Sequence, residues 1–417
     1  MQTLVIIIGL SDFSPGRALL LSKIIDSLGY HSVIITNKPL YLKKDGKDKS
    51  IFKSNIIFLN ISVPNYNSVL GRLLFYLFFS ILCFFKILKL ACSEQYKQIF
   101  IITRHPYPLS IISSLMVKLL IRNDKRIIII ADITDLWPES FTFMSKNFLV
   151  TLSMYLTRAL NYIFYPKIDG LITHNKHYEV YIKNVYFIKK KDIPVVIIPH
   201  LVDLSFFRPM QKIEALLRVN KYFTKKETSI ILNSFVIGYS GLISESIGSD
   251  LLIPITKEII NKNKQTSFLI VGEGPFKQKI LSKIKGENLI IKGPFPYYLI
   301  NYILNLFDLG VITSYYRERS PATLYWCPKK LGEYAACGKP IIYIGYSKPI
   351  SSLIKEYNCG IIIEPESLDC LAEYFDKIKE NYKNLSNGAL KMAEMEFSLK
   401  SAKIKMEQFL ARFSENI

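Results

Sequence analysis

The hydrophobic residues of the chain alternate between short apolar runs and longer stretches in which they recur at helical spacing. Residues 3–8 form the first apolar run, residues 18–28 place apolar side chains on one helical face, and residues 32–36 form the next run. This order predicts a strand, a helix and a second strand, which is the repeating unit of a parallel sheet. Because the alternation continues along the chain, the sequence predicts an α/β fold.

Two such series are separated by a charged segment, residues 207–228, and the second series begins at Phe235. A chain of 417 residues is also longer than one ordinary hydrophobic core. We therefore predict an N-terminal Rossmann-like domain over residues 1–205 and a second Rossmann-like domain over residues 206–395. A final helix, residues 396–417, is expected to cross back to the first domain. Two facing domains of this kind would leave a binding cleft between them.

The clearest chemical pattern is the stretch PKKLGEYAACGKPIIYI, residues 328–344, which predicts a helix that leads into a buried strand. Pro328 suits the start of a helix, where unpaired N–H groups and a partial positive charge favour anions. Lys329 and Lys330 add full charges there, and Glu333 is placed to accept hydrogen bonds from sugar hydroxyls. The combination fits a nucleotide-linked sugar, with the diphosphate on the amides and the ribose on the glutamate. The alternative is a surface helix with a solvated charged face.

A second polar cluster follows the predicted strand at residues 126–132, in the sequence ADITDLWPES. Asp132, Asp135, Trp137 and Glu139 crowd the end of this strand, where a parallel sheet places its binding residues. A tryptophan between carboxylates favours a sugar, because its ring covers C–H groups while the acids bind hydroxyls. The alternative is a packed tryptophan with capping aspartates.

Residues 71–92 contain the most apolar stretch, LLFYLFFSILCFF, followed by Lys86 and Lys89. As a helix this stretch spans about 20 Å, which is shorter than the hydrocarbon core of a bilayer, about 30 Å. We therefore predict a helix that lies in the membrane interface and contacts the membrane surface through residues 73–90, with aromatic side chains in lipid and lysines towards the headgroups. The alternatives are a buried core helix and a single transmembrane helix.

The formal net charge of +20 indicates anionic partners. The basic residues are scattered and no nucleic-acid motif is present, so the charge favours phosphates and acidic lipids over nucleic acid. The six cysteines show no metal-like spacing with the five histidines, which indicates a reducing cytosol and no metal. No signal peptide is expected, because the apolar run of residues 4–8 is too short.

Six motifs occur in a characteristic order along the chain. They are the loop at residues 11–16, DLWPES at 135–140, IPHLVDLSFFRP at 198–209, IGYSG at 237–241, VGEGP at 271–275 and CPKKLGEYAACGKPII at 327–342. With these motifs the chain resembles the family-4 retaining glycosyltransferases of the GT-B fold. It looks closest to the subgroup that transfers acetamido sugars in the synthesis of bacterial surface polysaccharides.

The resemblance implies a nucleotide-diphosphate-sugar donor, usually UDP-linked, that is bound mainly by the second domain. By motif, Glu333 would hold the ribose, and residues 328–330 would bring amides and a lysine to the diphosphate. Gly241 would let the backbone approach the phosphates, and Glu273 and Gly274 would lie near the base.

The resemblance also implies that the first domain holds the acceptor, typically a sugar linked to polyprenyl diphosphate. The Gly16 loop, Asp132 and Asp135 would lie near the reacting sugar, with the two aspartates as catalytic candidates. Retention of the anomeric configuration is expected, and neither a metal nor another cofactor is required.

Several positions depart from the family pattern. An acidic residue usual eight positions before Glu333 is replaced by Tyr325, and a basic pair common after Gly241 is replaced by Leu242 and Ile247. A histidine frequent before Asp135 is Thr134. Arg317, Arg319 and Lys339 are candidates for the missing positive charge.

These observations together predict a glycosyltransferase that moves a hexose or acetamido sugar from a UDP-sugar to a polyprenyl-diphosphate-linked acceptor. We expect it to act in O-antigen or capsule synthesis as a peripheral protein on the cytoplasmic side of the cell membrane. Two alternatives remain: a UDP-sugar 2-epimerase of the same fold, and a non-catalytic binding partner in polysaccharide assembly.

Overall fold

The chain folds into two α/β units. Unit 1 consists of Met1–Pro199 with Ala402–Ile417, and unit 2 is His200–Ser401. The domain boundaries predicted at 205 and 395 each differ by six residues from these limits. The computed structural model describes residues 2–10, 16–37, 55–61, 68–104, 108–121, 125–140, 148–186, 192–262, 265–284 and 286–413.

Unit 1 contains a seven-stranded parallel sheet in the order β3-β2-β1-β4-β5-β6-β7. Its third strand, β1, pairs Ile6 with Val33 of β2 on one side and with Ile101 of β4 on the other. Near-continuous isoleucine and valine runs form these strands, because helices cover both faces of a parallel sheet and leave few polar positions. The strands are β1 (Gln2–Ile8), β2 (His31–Asn37), β3 (Asn55–Leu59), β4 (Tyr96–Thr103), β5 (Arg126–Ile133), β6 (Gly170–Thr173) and β7 (Val195–Ile197).

The described helices of unit 1 connect these strands, and the last helix of the chain begins in unit 2 and ends in unit 1. That last helix packs Phe409 and Phe413 against Gly170, where a Cβ atom would lie 2.8 Å from the Phe413 ring. The helices are α1 (Arg17–Ser27), α2 (Val69–Ala91), α3 (Leu109–Leu120), α4 (Phe148–Phe164), α5 (Lys176–Val185) and, at the end of the chain, α16 (Leu399–Ala411).

Unit 2 contains a six-stranded parallel sheet in the order β10-β9-β8-β11-β12-β13. Apolar side chains fill both faces of this sheet. The strands are β8 (Phe235–Ser240), β9 (Thr266–Val271), β10 (Leu289–Lys292), β11 (Leu309–Thr313), β12 (Ile341–Ile344) and β13 (Gly360–Ile363). The helices are α6 (Lys212–Val219), α7 (Lys225–Asn233), α8 (Leu252–Lys262), α9 (Lys277–Lys283), α10 (Tyr297–Asn305), α11 (Pro321–Leu324), α12 (Lys329–Ala336), α13 (Lys348–Tyr357), α14 (Leu371–Glu380) and α15 (Tyr382–Met392).

The apolar stretch predicted at residues 71–92 forms helix α2, which is buried on one face only. Every fourth residue from Phe75 to Ala91 is buried, and the helix also carries eight exposed leucine, isoleucine and phenylalanine side chains. By length and composition, Leu70–Ala91 is able to cross a membrane, with 28% of its most apolar window buried. The buried stripe is Phe75, Phe79, Cys83, Ile87 and Ala91.

Candidate functional site

Helix α12 carries the residues predicted to bind the donor, and a buried tyrosine fixes its position. The hydroxyl of Tyr334 accepts a hydrogen bond of 2.8 Å from the backbone N–H of Ser240, at the end of β8. Its ring lies over Gly310, where a Cβ atom would come within 2.4 Å. Burial raises the pKa of Tyr334 well above its ordinary value, so the hydroxyl stays neutral. The start of α12 is therefore held beside the loop that follows β8.

Lys330 extends from α12 to this loop. Its ammonium group lies 4.0 Å from the centre of the Tyr239 ring, and a Cβ atom at Gly241 would be 2.9 Å from its Nζ atom. The Nζ atom is buried and has no hydrogen-bond partner among the residues that the structure describes. A buried cation in this position is stabilised by an anion, and the adjacent glycine leaves room for one.

Lys329 points elsewhere. Its Nζ atom lies 3.4 Å from Oε1 of Glu333 and donates a 3.0 Å hydrogen bond to the hydroxyl of Tyr297. Burial lowers the pKa of Lys329, but Glu333 and Tyr297 together raise it above its ordinary value. The predicted diphosphate lysines thus separate into two positions: Lys330 beside Gly241, and Lys329 as the partner that orients Glu333. Pro328 precedes the helix as its N-cap residue.

Two loops that follow neighbouring strands are joined by backbone hydrogen bonds. The N–H of Gly241 donates to the carbonyl of Val271 at 2.9 Å, and the N–H of Ile243 donates to the carbonyl of Glu273 at 2.9 Å. Gly272 has a φ of 158°, and a Cβ atom there would lie 1.8 Å from the Gly241 carbonyl oxygen. This close approach requires glycine and holds Gly241 in place beside Lys330.

Glu273 and Gly274, predicted near the base, lie in the second of these loops. A Cβ atom at Gly274 would be 2.1 Å from the carbonyl oxygen of Ile243. The exposed Glu273 carboxylate is 2.9 Å from Nζ of Lys277, and this hydrogen bond lowers its pKa. The structure therefore brings Gly241, Glu273 and Gly274 together in one pair of loops.

The positions that depart from the family pattern surround the same loops. Leu242 is exposed, and Tyr325 follows the short helix α11. Arg317, in the loop after β11, pairs with Glu245 at 3.0 Å and with Asp250 at 2.7 Å. Sequence reasoning did not identify these two acidic partners, because they lie about seventy residues away along the chain. Of the other candidate cations, Arg319 lies over the Tyr346 ring, and Lys339 is buried beneath α12 with its pKa lowered by burial.

In unit 1, Asp132 is the centre of a buried ion cluster. Its carboxylate lies 2.8 Å from Nε of Arg17 and 3.0 Å from Nε of Arg104, and it is fully buried. Arg17 also donates to the carbonyls of Ile198 and Pro199. Because both carboxylate oxygens already bind arginine, this position indicates a structural role, and the catalytic role expected of Asp132 stays a prediction.

Gly16 is brought to this cluster as the N-cap residue of α1, directly before Arg17, and its carbonyl accepts the first helical hydrogen bonds. The remainder of the predicted loop, residues 11–15, lies outside the described residues.

Glu139 is also buried and is held by three donors. Its Oε1 atom lies 3.2 Å from Arg158, 3.0 Å from the Tyr181 hydroxyl and 3.4 Å from the Tyr186 hydroxyl. Burial raises the pKa of both tyrosines, and the Glu139 charge raises it further, so they remain hydrogen-bond donors. Glu139 therefore fixes the segment after β5, a role different from the predicted contact with a sugar.

The two other residues of this segment are more accessible. Asp135 is exposed, and Trp137 is partly buried with its ring 5.7 Å from that of Tyr76 on α2. The Trp137 carbonyl accepts a 2.7 Å hydrogen bond from Asn161 of α4. Asp135 is thus the carboxylate of the predicted pair that faces solvent. No cluster of metal-ligand residues occurs within the described ranges.

Comparison with known proteins locates a family in unit 2. Residues 220–392 match the family of glycosyl transferases group 1. The matched segment contains Gly241, Lys330 and Glu333, and so includes the whole predicted donor site. No curated protein sequence matches the chain.

Solved structures extend the likeness to the whole chain. Sucrose-phosphate synthase from Thermosynechococcus elongatus has a TM-score of 0.71 at 14% identity, covering 100% of both chains. A glycosyltransferase from Rickettsia africae has a TM-score of 0.66 at 14% identity, covering 98% of both. HepE from Anabaena, in complex with UDP-glucose, has a TM-score of 0.64 at 14% identity, covering 99% of both.

At such identities the structural likeness shows the fold, which is GT-B, and the sequence prediction of this fold is confirmed. The group 1 match and these folds together support a glycosyltransferase, as the sequence predicted. The more specific subgroup of acetamido-sugar transferases stays a prediction.

Proposed function

We propose that the chain transfers a hexose or acetamido sugar from a UDP-sugar to a polyprenyl-diphosphate-linked acceptor, with retention of the anomeric configuration. The role is in surface polysaccharide synthesis, such as O-antigen or capsule, and the location is the cytoplasmic face of the cell membrane. No metal and no further cofactor is needed in this reaction. The observation that carries the proposal is the buried ammonium group of Lys330 against Gly241.

In the proposed reaction, unit 2 must stabilise the negative charge of the leaving group. As the glycosidic bond breaks, the leaving nucleotide diphosphate gains negative charge, and donors that are already in place stabilise it most effectively. The N-terminal amides of α12 and Lys330 are such donors, and their position is fixed by the Tyr334 hydrogen bond. The UDP-glucose bound by HepE, which has the same fold, supports UDP as the nucleotide.

The acceptor side of the proposal depends on unit 1. Asp135 is exposed at the end of a buried strand, where it is available to orient the acceptor hydroxyl or to stabilise the cationic sugar. The exposed apolar face of α2 supports a lipid-linked acceptor, because such an acceptor resides in a bilayer.

The test is a product assay with the full chain. Membranes or vesicles that contain a polyprenyl-diphosphate sugar are incubated with a panel of UDP-sugars. The lipid products are identified by mass spectrometry, and the sugar nucleotides by NMR, which distinguishes epimers of equal mass. A lipid product one sugar longer supports the proposal. Release of a new sugar nucleotide without acceptor indicates the epimerase instead, and UDP-sugar binding without any product indicates the non-catalytic partner.

Glu333→Gln is expected to weaken UDP binding about tenfold, because a charge-assisted hydrogen bond to the ribose is lost. Lys329→Met is expected to weaken binding by a smaller factor, since Lys329 only orients Glu333. Both affinities are measured by calorimetric titration with UDP. The control is Glu287→Gln, which removes an exposed carboxylate that pairs with Lys226 on the same unit. An unchanged affinity in Glu333→Gln removes Glu333 from the donor site.

A further inference from the structure

Helix α4 presents its apolar side to solvent. The exposed residues Phe148, Leu152, Tyr155, Leu156 and Ile163 recur at three- and four-residue spacing and so lie along one face. Phe148 is 78% exposed and Tyr155 is 67% exposed. The residues of this helix that are buried are Val150 and Asn161. An amphipathic helix in a water-soluble protein is normally oriented the other way.

Hydrogen bonds fix this orientation. The buried amide of Asn161 donates to the Trp137 carbonyl at 2.7 Å and to the Tyr186 hydroxyl at 3.3 Å. On the flank of the helix, Arg158 pairs with Glu139. Turning the apolar face inwards would remove these buried interactions, and a buried polar group without a partner is destabilising. These buried interactions therefore hold the apolar face of α4 towards solvent.

The neighbouring helices have the same character. The ring of Tyr76 on α2 contacts Trp137, to which Asn161 of α4 is also bonded, so that one segment joins α2 and α4. Helix α3 packs on α2, with Ser113 donating to the carbonyl of Ser80 at 2.8 Å. Its own exposed residues are Met116, Leu119 and Leu120. Exposed apolar surface of this kind marks an interaction site.

The charged residues of these three helices indicate what binds their exposed surface. The sequences of α2, α3 and α4 contain no aspartate and no glutamate. Two of their basic residues, Lys118 and Arg158, pair with acidic groups outside the helices, whereas Lys86 and Lys89 are exposed at the end of α2. Apolar helices with basic and no acidic residues fit an anionic bilayer, in which aliphatic groups enter the acyl boundary and lysines meet phosphates.

We propose that α4 is a second membrane-binding helix, which lies beside α2 in the interface of an anionic bilayer. Its immersed residues are Phe148, Leu152 and Leu156. Asn161 of α4 donates a hydrogen bond to the carbonyl of Trp137. Binding of α4 to the bilayer would therefore also hold the segment that contains Asp135 at the bilayer surface, where a lipid-linked acceptor presents its sugar. The inference rests on the proposed function for the nature of that acceptor.

The experiment is flotation of the full chain with vesicles of phosphatidylethanolamine and phosphatidylglycerol. The test variant combines Phe148→Ser, Leu152→Ser and Leu156→Ser. The matched control combines Ile213→Ser, Leu217→Ser and Leu232→Ser, three similarly exposed apolar residues of unit 2. We expect the partition coefficient to fall about tenfold or more in the test variant and to stay unchanged in the control. UDP affinity should equal that of the native chain in both.

Unchanged flotation of the test variant, or an equal loss in the control, overturns the proposal. So does a native dimer that dissociates in the test variant while vesicle binding persists, because α4 then contacts a second copy. Retained UDP binding and sugar transfer in these cases would leave the proposed function standing.

Should the triple variant fail to fold, a dye attached to a single introduced cysteine reports whether α4 enters the bilayer. Cys92 and Cys370 are replaced by serine, and Phe148→Cys is labelled with an environment-sensitive dye. A blue shift on addition of vesicles is expected, with none for a label at Ile213→Cys. Equal emission with and without vesicles overturns the proposal.

Discussion

Lys330→Met is expected to weaken UDP binding by about 10- to 100-fold while leaving the thermal stability of the ligand-free protein equal to or above that of the native chain. The loss follows from one charge-assisted hydrogen bond to the diphosphate, about 1.5–3 kcal/mol. The gain in stability follows because the native ammonium group is buried beside Tyr239 and Gly241 without a hydrogen-bond partner in the described parts of the chain. Calorimetric titration with UDP and a thermal denaturation scan measure the two effects.

The control for this prediction is Lys226→Met, which removes the same charge from an exposed ion pair of unit 2. Its UDP affinity and its melting temperature should both remain native. A Lys330→Met protein that binds UDP normally would show that Lys330 does not contact the diphosphate. A clear loss of stability would instead indicate that the lysine supports the fold.

Asp132→Ala is expected to destabilise unit 1 by about 3–5 kcal/mol, because it leaves Arg17 and Arg104 buried without their shared carboxylate. By contrast, Glu287→Ala removes an exposed ion pair and should leave the stability unchanged. The comparison separates a buried ion cluster from a surface charge.

Urea denaturation followed by tryptophan fluorescence gives the measurement. The chain has two tryptophans, and in a Trp326→Phe background the remaining Trp137 reports on unit 1 alone. This background matters because two units need not unfold together. A loss under about 1 kcal/mol for Asp132→Ala would contradict the structural role of Asp132.

The fold could be predicted from the sequence because its strands are continuous runs of isoleucine, valine and leucine. The runs that became β1, β2 and β5 were each predicted to within one residue of their observed limits. Two strands at sheet edges, β3 and β13, were missed. Each is short and only partly buried, so its pattern is weak.

The local part of the candidate site was also accessible to sequence reasoning. Lys330 and Glu333 lie within one helix, whose start and charges can be recognised from six residues. The long-range part was not accessible. The partners of Asp132 lie 115 residues away at Arg17 and 28 residues away at Arg104, and no pattern links them. The face of α4 that points outwards was equally hidden, since periodicity shows that a helix has two faces but not which one packs inwards.

The absence of acidic residues from α2, α3 and α4 has a consequence for how attachment responds to the surroundings. Every charged residue in these helices is a lysine or an arginine, so no carboxylate within them offsets their attraction to an anionic bilayer. Their lysines, however, meet lipid phosphates across a distance that dissolved ions screen. Binding to a bilayer should therefore weaken as the ionic strength rises.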